Sequence, residues 1–286
     1  MAHFSCGIKA IIFGFALLST LLYPYPSHAH NGAIAIAVPV EGITVDGDLS
    51  DWPEGMRKYP IELPEAGVAP RDTLDFQGSF RIGFNEEENA LYVAVAVRDE
   101  SVVVDTVGGW DSQDGCELYV DVGNRTEDIS VVQYAVRGDS LSTFSLLEDR
   151  RWENAKLGIQ RTDSIHRYEF RVDVGGMSEE IIGLRPEMLL GIDVVACDRD
   201  EDGSFSWMAW GSGAFKFQYP DRCGIAVLVE KGMKGKIAGQ VRWKDVEKGI
   251  ARTEVRFESQ TIEGLWMEVQ TDREGAYAIE LPIGTY

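Results

Sequence analysis

The chain of 286 residues carries 27 Lys and Arg against 47 Asp and Glu, a formal charge of −20, which argues against nucleic acid as a partner because phosphate binding needs a basic patch. Hydrophobic residues at 44% and charged residues at 26% are ordinary globular usage, which excludes wholesale disorder. At roughly 100–200 residues per domain, the length suits one large domain followed by a small one.

In chain order, Lys9 precedes an apolar run over residues 10–23, and Ser27-His28-Ala29 offers the small-x-small pattern of a signal-peptidase site. Residues 1–29 therefore read as a secretory leader. The apolar run is shorter than the roughly 20 residues a membrane-spanning helix needs, so no membrane insertion is expected after cleavage. The expected destination is the periplasm, the extracellular space or the cell surface. Cys6 precedes the run, which leaves Cys116, Cys197 and Cys223 in the processed chain, without a Cys-x-x-Cys spacing for zinc. Their expected role is as small buried strand residues.

From residue 80 onward the dominant period is two. Leu91, Val93, Val95 and Val97 alternate with Tyr92, Ala94, Ala96 and Arg98, and Leu118, Val120 and Val122 with Glu117, Tyr119 and Asp121. Tyr168, Phe170, Val172 and Val174 repeat the pattern against Arg167, Glu169, Arg171 and Asp173, as does the run at Ile192, Val194 and Ala196. Half-buried strands follow, with Glu117, Asp121, Glu169 and Asp173 expected on outward, solvated positions. Further strands are expected at residues 80–84, 131–136, 205–210 and 225–229, and short helices only at 178–184 and around Glu187. Strands without alternating helices predict an all-β, antiparallel sandwich. Residues 231–236 read as a Gly/Lys linker, and strands at 237–243, 253–258, 265–271 and 277–281 form a second, smaller module over 237–286.

Several segments carry a family likeness. The opening Val45-Asp46-Gly47-Asp48-Leu49 to Trp52, the strand Leu91-Tyr92-Val93 to Asp99, Trp110-Asp111 to Asp114 with Glu117 to Asp121, and Gly191-Ile192-Asp193 to Asp198-Arg199-Asp200 stand in order, followed by Trp207, Pro220 and Gly224. Residues 34–230 thereby resemble family 9 carbohydrate-binding modules and their DOMON-like relatives. In the second module, Thr271-Asp272 with Gly275 and Tyr277, then Leu281-Pro282 with Gly284 and Tyr286, resembles the carboxypeptidase-regulatory-like, transthyretin-like β-sandwich. That family continues past its final Tyr with at least one more strand, so the module is expected either to be completed differently or to belong to a longer chain.

The first resemblance implies a sugar clamped between two aromatic rings, since axial C–H faces pack on rings and hydroxyls bond short polar groups. It assigns Trp110 as one platform and Phe217, in a stretch with Phe215 and Tyr219, as the other. It also assigns Glu117 as a hydroxyl acceptor. The family's arginine position falls at Ala135, with Arg137 two residues on and so on the same strand face. Trp52 and Trp207 take structural places.

Asp198, Asp200 and Asp202, followed by Gly203, have the D-x-D-x-D-G spacing of a calcium loop. With Ala209 at the twelfth position there is no closing Glu, so the expectation is a structural calcium and not an EF-hand. Asp46, Asp48 and Asp51 form a second candidate group. Only His30 and His166 remain after the leader, with no nucleophile elbow or Ser/His/Asp set, so no enzyme is expected within these residues. The resemblance implies xylo- or cello-oligosaccharide binding in support of an attached or partner glycoside hydrolase. Two alternatives stand beside it: an extracytoplasmic sensory or structural ectodomain of a larger protein such as a membrane kinase, and a haem-binding DOMON-type domain using Met208 or Met177.

Overall fold

A computed structural model describes residues 31–104, 108–109, 111–123, 131–146, 153–175, 177, 183–232, 234–244, 248–262 and 265–286. The large module is built from β1 (Ile34–Pro39), β2 (Tyr59–Ile61), β3 (Leu63–Gly67), β4 (Phe76–Asn85), β5 (Ala90–Asp99), β6 (Gly115–Asp121), β7 (Val132–Arg137), β8 (Ser140–Ser145), β9 (Ala155–Arg161), β10 (Ile165–Asp173), β11 (Leu189–Arg199), β12 (Phe205–Ala209) and β13 (Gly224–Leu228). One layer runs β8-β7-β6-β11, with β12 and then β3 beside one half of β11 and β13 beside the other. The second runs β9-β10-β5-β4, with β2 on β4.

Strand β1 belongs to both layers: Ile34 to Ala37 pair parallel with β13, and Val38 and Pro39 pair parallel with β4. The remaining ladders of the large module are antiparallel, as the short turn-punctuated strands predict. The period-two residues meet between the layers. Leu91, Val93, Val95 and Val97 from β5, Leu118 and Val120 from β6, Tyr168, Phe170 and Val172 from β10, and Ile192, Val194 and Ala196 from β11 form one core. Each fully buried Phe, Val or Leu there contributes about 1.5–3 kcal/mol.

The outer faces differ from the half-solvated pattern. Glu117, Asp121 and Glu169 are buried, and only Asp173 of the four acidic positions is exposed. The reason lies in coverage by segments distant in sequence. On the β10 side, residues 43–52 fold back as a turn: Glu169 Oε1 accepts from Trp52 Nε1 at 2.6 Å, and its Oε2 accepts from the amides of Gly47 at 2.7 Å and Asp46 at 3.0 Å. Gly47 sits at φ +86°, where a Cβ would approach the Gln160 nitrogen to 2.5 Å, so the turn lies directly on β9. Glu169→Gln is expected to cost about 1–3 kcal/mol in urea unfolding, because the amide has one accepting oxygen and its NH2 end would face either the Trp52 indole N–H or the two backbone donors; an unchanged midpoint would count against this pinning role.

Sequence reasoning missed β1, β2, β3, β8 and β9. Residues 178–182 of one expected helix lie outside the described residues, whereas Gly183 and Leu184 are not helical. No helix forms around Glu187: Pro186 and Glu187 make a turn into β11, with Glu187 at φ 70°. The leader lies outside the described residues, and no described helix is long and apolar enough to cross a membrane.

The small module contributes β14 (Lys234–Gln240), β15 (Glu254–Glu258), β16 (Trp266–Gln270) and β17 (Ala276–Pro282), paired as β14-β17 and β15-β16. Strand β14 already begins at Lys234, within the segment read as a linker. Ile262, Leu265, Met267 and Leu281 pack on Ile36, Ile225, Val227 and Val229, the outer face of β1 and β13 and the segment just beyond. That covered face is why β13 is buried at every position.

Candidate functional site

Three strands present one outer face of the first layer. Register places Gln133, Ala135 and Arg137 of β7 opposite Tyr119, Glu117 and Gly115 of β6, and opposite Phe144, Ser142 and Ser140 of β8. Since alternate residues share a face, these side chains line one surface. It is open over β7 and β8, where Ser140, Ser142 and Phe144 are exposed, and covered over β6.

Glu117 organises the covered part. It is 4% exposed; its Oε1 accepts from Arg137 Nη2, and its Oε2 from the Tyr119 hydroxyl at 2.6 Å and Trp207 Nε1 at 3.3 Å. Both oxygens are engaged, so Glu117 is a buried anchor for the guanidinium and not the solvated acceptor its strand position suggests. The Tyr119 oxygen also accepts from Gln133 Nε2 at 3.2 Å. Arg137 keeps a partly exposed head, and lies across Gly115, where a Cβ would meet Arg137 Nη1 at 2.9 Å and the Val136 carbonyl at 2.5 Å.

The aromatic part comes from β8 and from the loop between β12 and β13. Phe217 packs against the small cluster of Tyr119, Val195, Cys197 and Trp207, and meets Phe144 edge-on at 5.3 Å and 88°. Phe215, exposed and at φ 59°, lies 6.5 Å from Phe217. A bulky residue in the left-handed region carries backbone strain, of a kind that gathers at functional loops. Tyr219 is exposed under the Arg222 guanidinium. Trp110 lies outside the described residues. Phe144 was missed in the sequence because β8 is polar apart from Leu141 and Phe144 and lacks a core alternation. Trp52 and Trp207 are buried, as expected.

A second constellation sits at one end of the sandwich, where β5, β6, β10 and β11 bring both layers together. Asp198 and Asp200 share a face at the end of β11, and one carboxylate oxygen from each lies within 4.8 Å of one from Asp99, at the end of β5. Asp202 does not join them. The chain turns at residues 201–203, with Gly203 at φ +94°, and the exposed Asp202 caps the turn by accepting from the Ser204 amide and hydroxyl. Asp99 takes the place expected of Asp202, a substitution that only strand pairing reveals. Asp46, Asp48 and Asp51 accept local backbone amides as turn caps.

The residues fit a hard divalent cation. Asp198 Oδ1 and Asp200 Oδ1 are buried without a hydrogen-bond donor, which is costly for carboxylates unless a cation or proton intervenes. Burial first, then neighbouring carboxylates, pushes Asp99 up to about 6, Asp114 to about 7 and Asp198 to about 9. A largely acidic recess bordered by Glu100, Asp163, Asp200, Glu201 and Asp202, with Arg71 paired to Glu100 at its rim, opens to solvent above. Hard carboxylate oxygens are the donor type calcium takes, and three such groups leave room for further oxygen ligands.

The three cysteines of the described chain are free and buried. Met177 and Met208 belong to the main core, and Met177 Sδ accepts from the Tyr134 hydroxyl at 3.7 Å. His166 is 1% exposed and stands by the carboxylate cluster, 3.7 Å from Asp99.

A family model described as carbohydrate family 9 binding domain-like matches residues 45–231. The fold is similar to a family 9 carbohydrate-binding module from Caldicellulosiruptor kristjanssonii in complex with glucose, at 14% identity and a TM-score of 0.56, covering 70% of this chain and 97% of that one. The same module's complex with cellotriose gives 14% identity and a TM-score of 0.55 over 70% and 95% of the two chains. A Bacteroides uniformis protein named for carbohydrate binding gives 14% identity and a TM-score of 0.50 over 69% and 99%. No curated protein matches the sequence.

Proposed function

The chain belongs to the carbohydrate family 9 binding domain-like family, and from that premise we propose that it is an exported, non-catalytic binder of neutral oligosaccharides or polysaccharides of the cello- or xylo- type. The observation that carries this reading is that one sheet face presents both a guanidinium held by a buried carboxylate, Arg137–Glu117, and, toward the other end of the β7–β8 pair, the edge-to-face aromatic pair Phe144–Phe217. Sugars need both a hydroxyl-directed polar group and an apolar ring face. Arg137 donates to the hydroxyls, Phe217 and Phe144 form an aromatic wall, and the family likeness assigns Trp110 the role of a second platform. Glu117 acts through Arg137. A complex of the family with glucose or cellotriose supports the ligand class.

Under the same proposal residues 1–29 are the leader, residues 34–230 form the sugar module, and residues 237–286 form a carboxypeptidase-regulatory-like module joined to it. A structural calcium sits among Asp99, Asp198 and Asp200. The binder serves polysaccharide breakdown by an attached or partner glycoside hydrolase.

Calorimetric titration of the full chain with cello- and xylo-oligosaccharides tests the assignment. Trp110→Ala and Arg137→Ala are each expected to weaken binding about tenfold or more, since one lost platform or charged hydrogen bond is worth about 1.5–3 kcal/mol. Wild-type affinity in both variants, or no heat with any of these sugars, removes the assignment.

A further inference from the structure

We propose that His166, Asp99 and Asp114 form a second cation position, a nitrogen-containing site for a borderline transition metal such as Zn2+, which shares Asp99 with the all-oxygen calcium position. The motivating observation is an imidazole nitrogen with no partner. His166 Nε2 is buried and makes no hydrogen bond. It faces Asp99 Oδ2 at 3.7 Å and Asp114 Oδ2 at 3.6 Å, too far for hydrogen bonds, with both carboxylates buried.

The spacing approaches that of ligands around an ion, one atom from each of the three residues lying within 4.8 Å of the others. A tetrahedral edge is about 1.6 times the bond length, so zinc bonds of roughly 2.0–2.2 Å place ligands about 3.3–3.6 Å apart. The other ring atom, Nδ1, stands 3.3 Å from the Tyr168 hydroxyl. If Nδ1 carries the proton for that contact, the Nε2 lone pair points at the two carboxylates, the arrangement in which a second partner orients a metal-binding imidazole.

The remaining lone pairs are directed as a site would need. Asp99 Oδ1 accepts from the Ser101 amide at 2.8 Å and Asp114 Oδ1 from the Arg199 amide at 2.8 Å, while Asp114 Oδ2 also accepts from the Val103 amide at 2.6 Å. These contacts orient both carboxylates toward His166. Calcium prefers oxygen alone, whereas imidazole favours zinc and its neighbours in the transition series, so the two positions differ in the ion they select. The strands involved come from both layers, and an ion here would fasten β5 and β10 to the entry of β6.

The full chain, stripped by chelator, is titrated with Zn2+ in calcium-saturated buffer and with Ca2+ separately. Wild type is expected to take up Zn2+ in addition to Ca2+, and bound Co2+ is expected to show the visible absorption of a tetrahedral site. His166→Gln is expected to lose Zn2+ affinity about tenfold or more while retaining Ca2+ binding, which also reports that the variant is folded. Asp200→Asn is expected to do the reverse. Zn2+ binding by His166→Gln at wild-type strength, or a wild type that binds Ca2+ but no Zn2+, overturns the proposal. Zn2+ uptake without Ca2+ uptake leaves it standing and overturns the calcium reading alone, and neither outcome depends on the sugar site.

Discussion

Chelation of divalent cations is expected to lower the thermal midpoint of the protein by about 5–10 °C, given about 2.7 kcal/mol of stabilisation at a cation concentration 100-fold above Kd and a shift of about 2–4 °C per kcal/mol for a chain of this size. The size of the effect follows from the carboxylates gathered at the end of the sandwich. Asp99, Asp114 and Asp198 are nearly inaccessible to water and repel one another when ionised. Without a cation their folded-state values of about 6, 7 and 9 lie above the unfolded value of about 3.9, so the native state holds more protons. Stability of the chelated protein is then highest below about pH 4 with respect to these groups, and falls as pH rises through the folded values. A bound cation replaces the protons, so the increment that calcium adds must grow over the same window. Thermal scans at several pH values, with chelator and with excess calcium, measure both slopes. A midpoint indifferent to calcium near pH 8 would defeat the cation reading of this cluster.

Lys216→Ala is expected to cost about 3–5 kcal/mol in urea unfolding, the range for removing one member of a buried ion pair. Lys216 is 0% exposed, and its Nζ lies 3.1 Å from Asp193 Oδ2, 2.6 Å from the Gly211 carbonyl and 3.2 Å from the Arg222 carbonyl. Asp193, equally buried, accepts from the amides of Val194 at 2.9 Å and Gly211 at 3.2 Å and from Asn31 Nδ2 at 3.3 Å. The alanine variant strands that carboxylate. It also frees both ends of the loop that presents Phe215, Phe217 and Tyr219, so oligosaccharide affinity is expected to fall although the buried Lys216 is itself inaccessible to a ligand. Lys216→Met combined with Asp193→Leu is expected to recover most of the stability, because well-packed apolar side chains replace buried ion pairs at little cost. A single Lys216→Ala variant within 1 kcal/mol of wild type would falsify the anchoring role.

The two layers were largely legible from alternation, as the strands around Leu91, Leu118, Tyr168 and Ile192 demonstrate. Strands with little contrast between faces escaped. In β1, Ala35, Ile36 and Ala37 are all buried because one face meets the main core and the other the small module, so no period of two appears. In β8 the polar content conceals a strand that pairs at a layer edge. Strand β9 does alternate, Ala155, Leu157 and Ile159 against Lys156, Gly158 and Gln160, and escaped although its apolar face packs on the core. The candidate ligand residues Arg137 and Phe217 were visible through the family likeness, but their relation was not. That Arg137 is held by Glu117, or that Phe217 meets Phe144, depends on register between strands distant in sequence.

The acidity on which the sequence is so emphatic illustrates the division. By itself the sequence determined the all-β class, the main core residues, the family likeness and the carboxylate pair Asp198 and Asp200 on one strand face, because each is set by local period or by residue order. The tertiary structure alone decided which acids are solvated and which are buried. It exchanged Asp202 for Asp99 in the carboxylate cluster, set His166 against Asp99 and Asp114, and turned Glu117 from a surface acceptor into an anchor. The physical reason is that coverage of a strand's outer face is supplied by turns and loops remote in the chain, while the local alternation reports only that the strand has two faces.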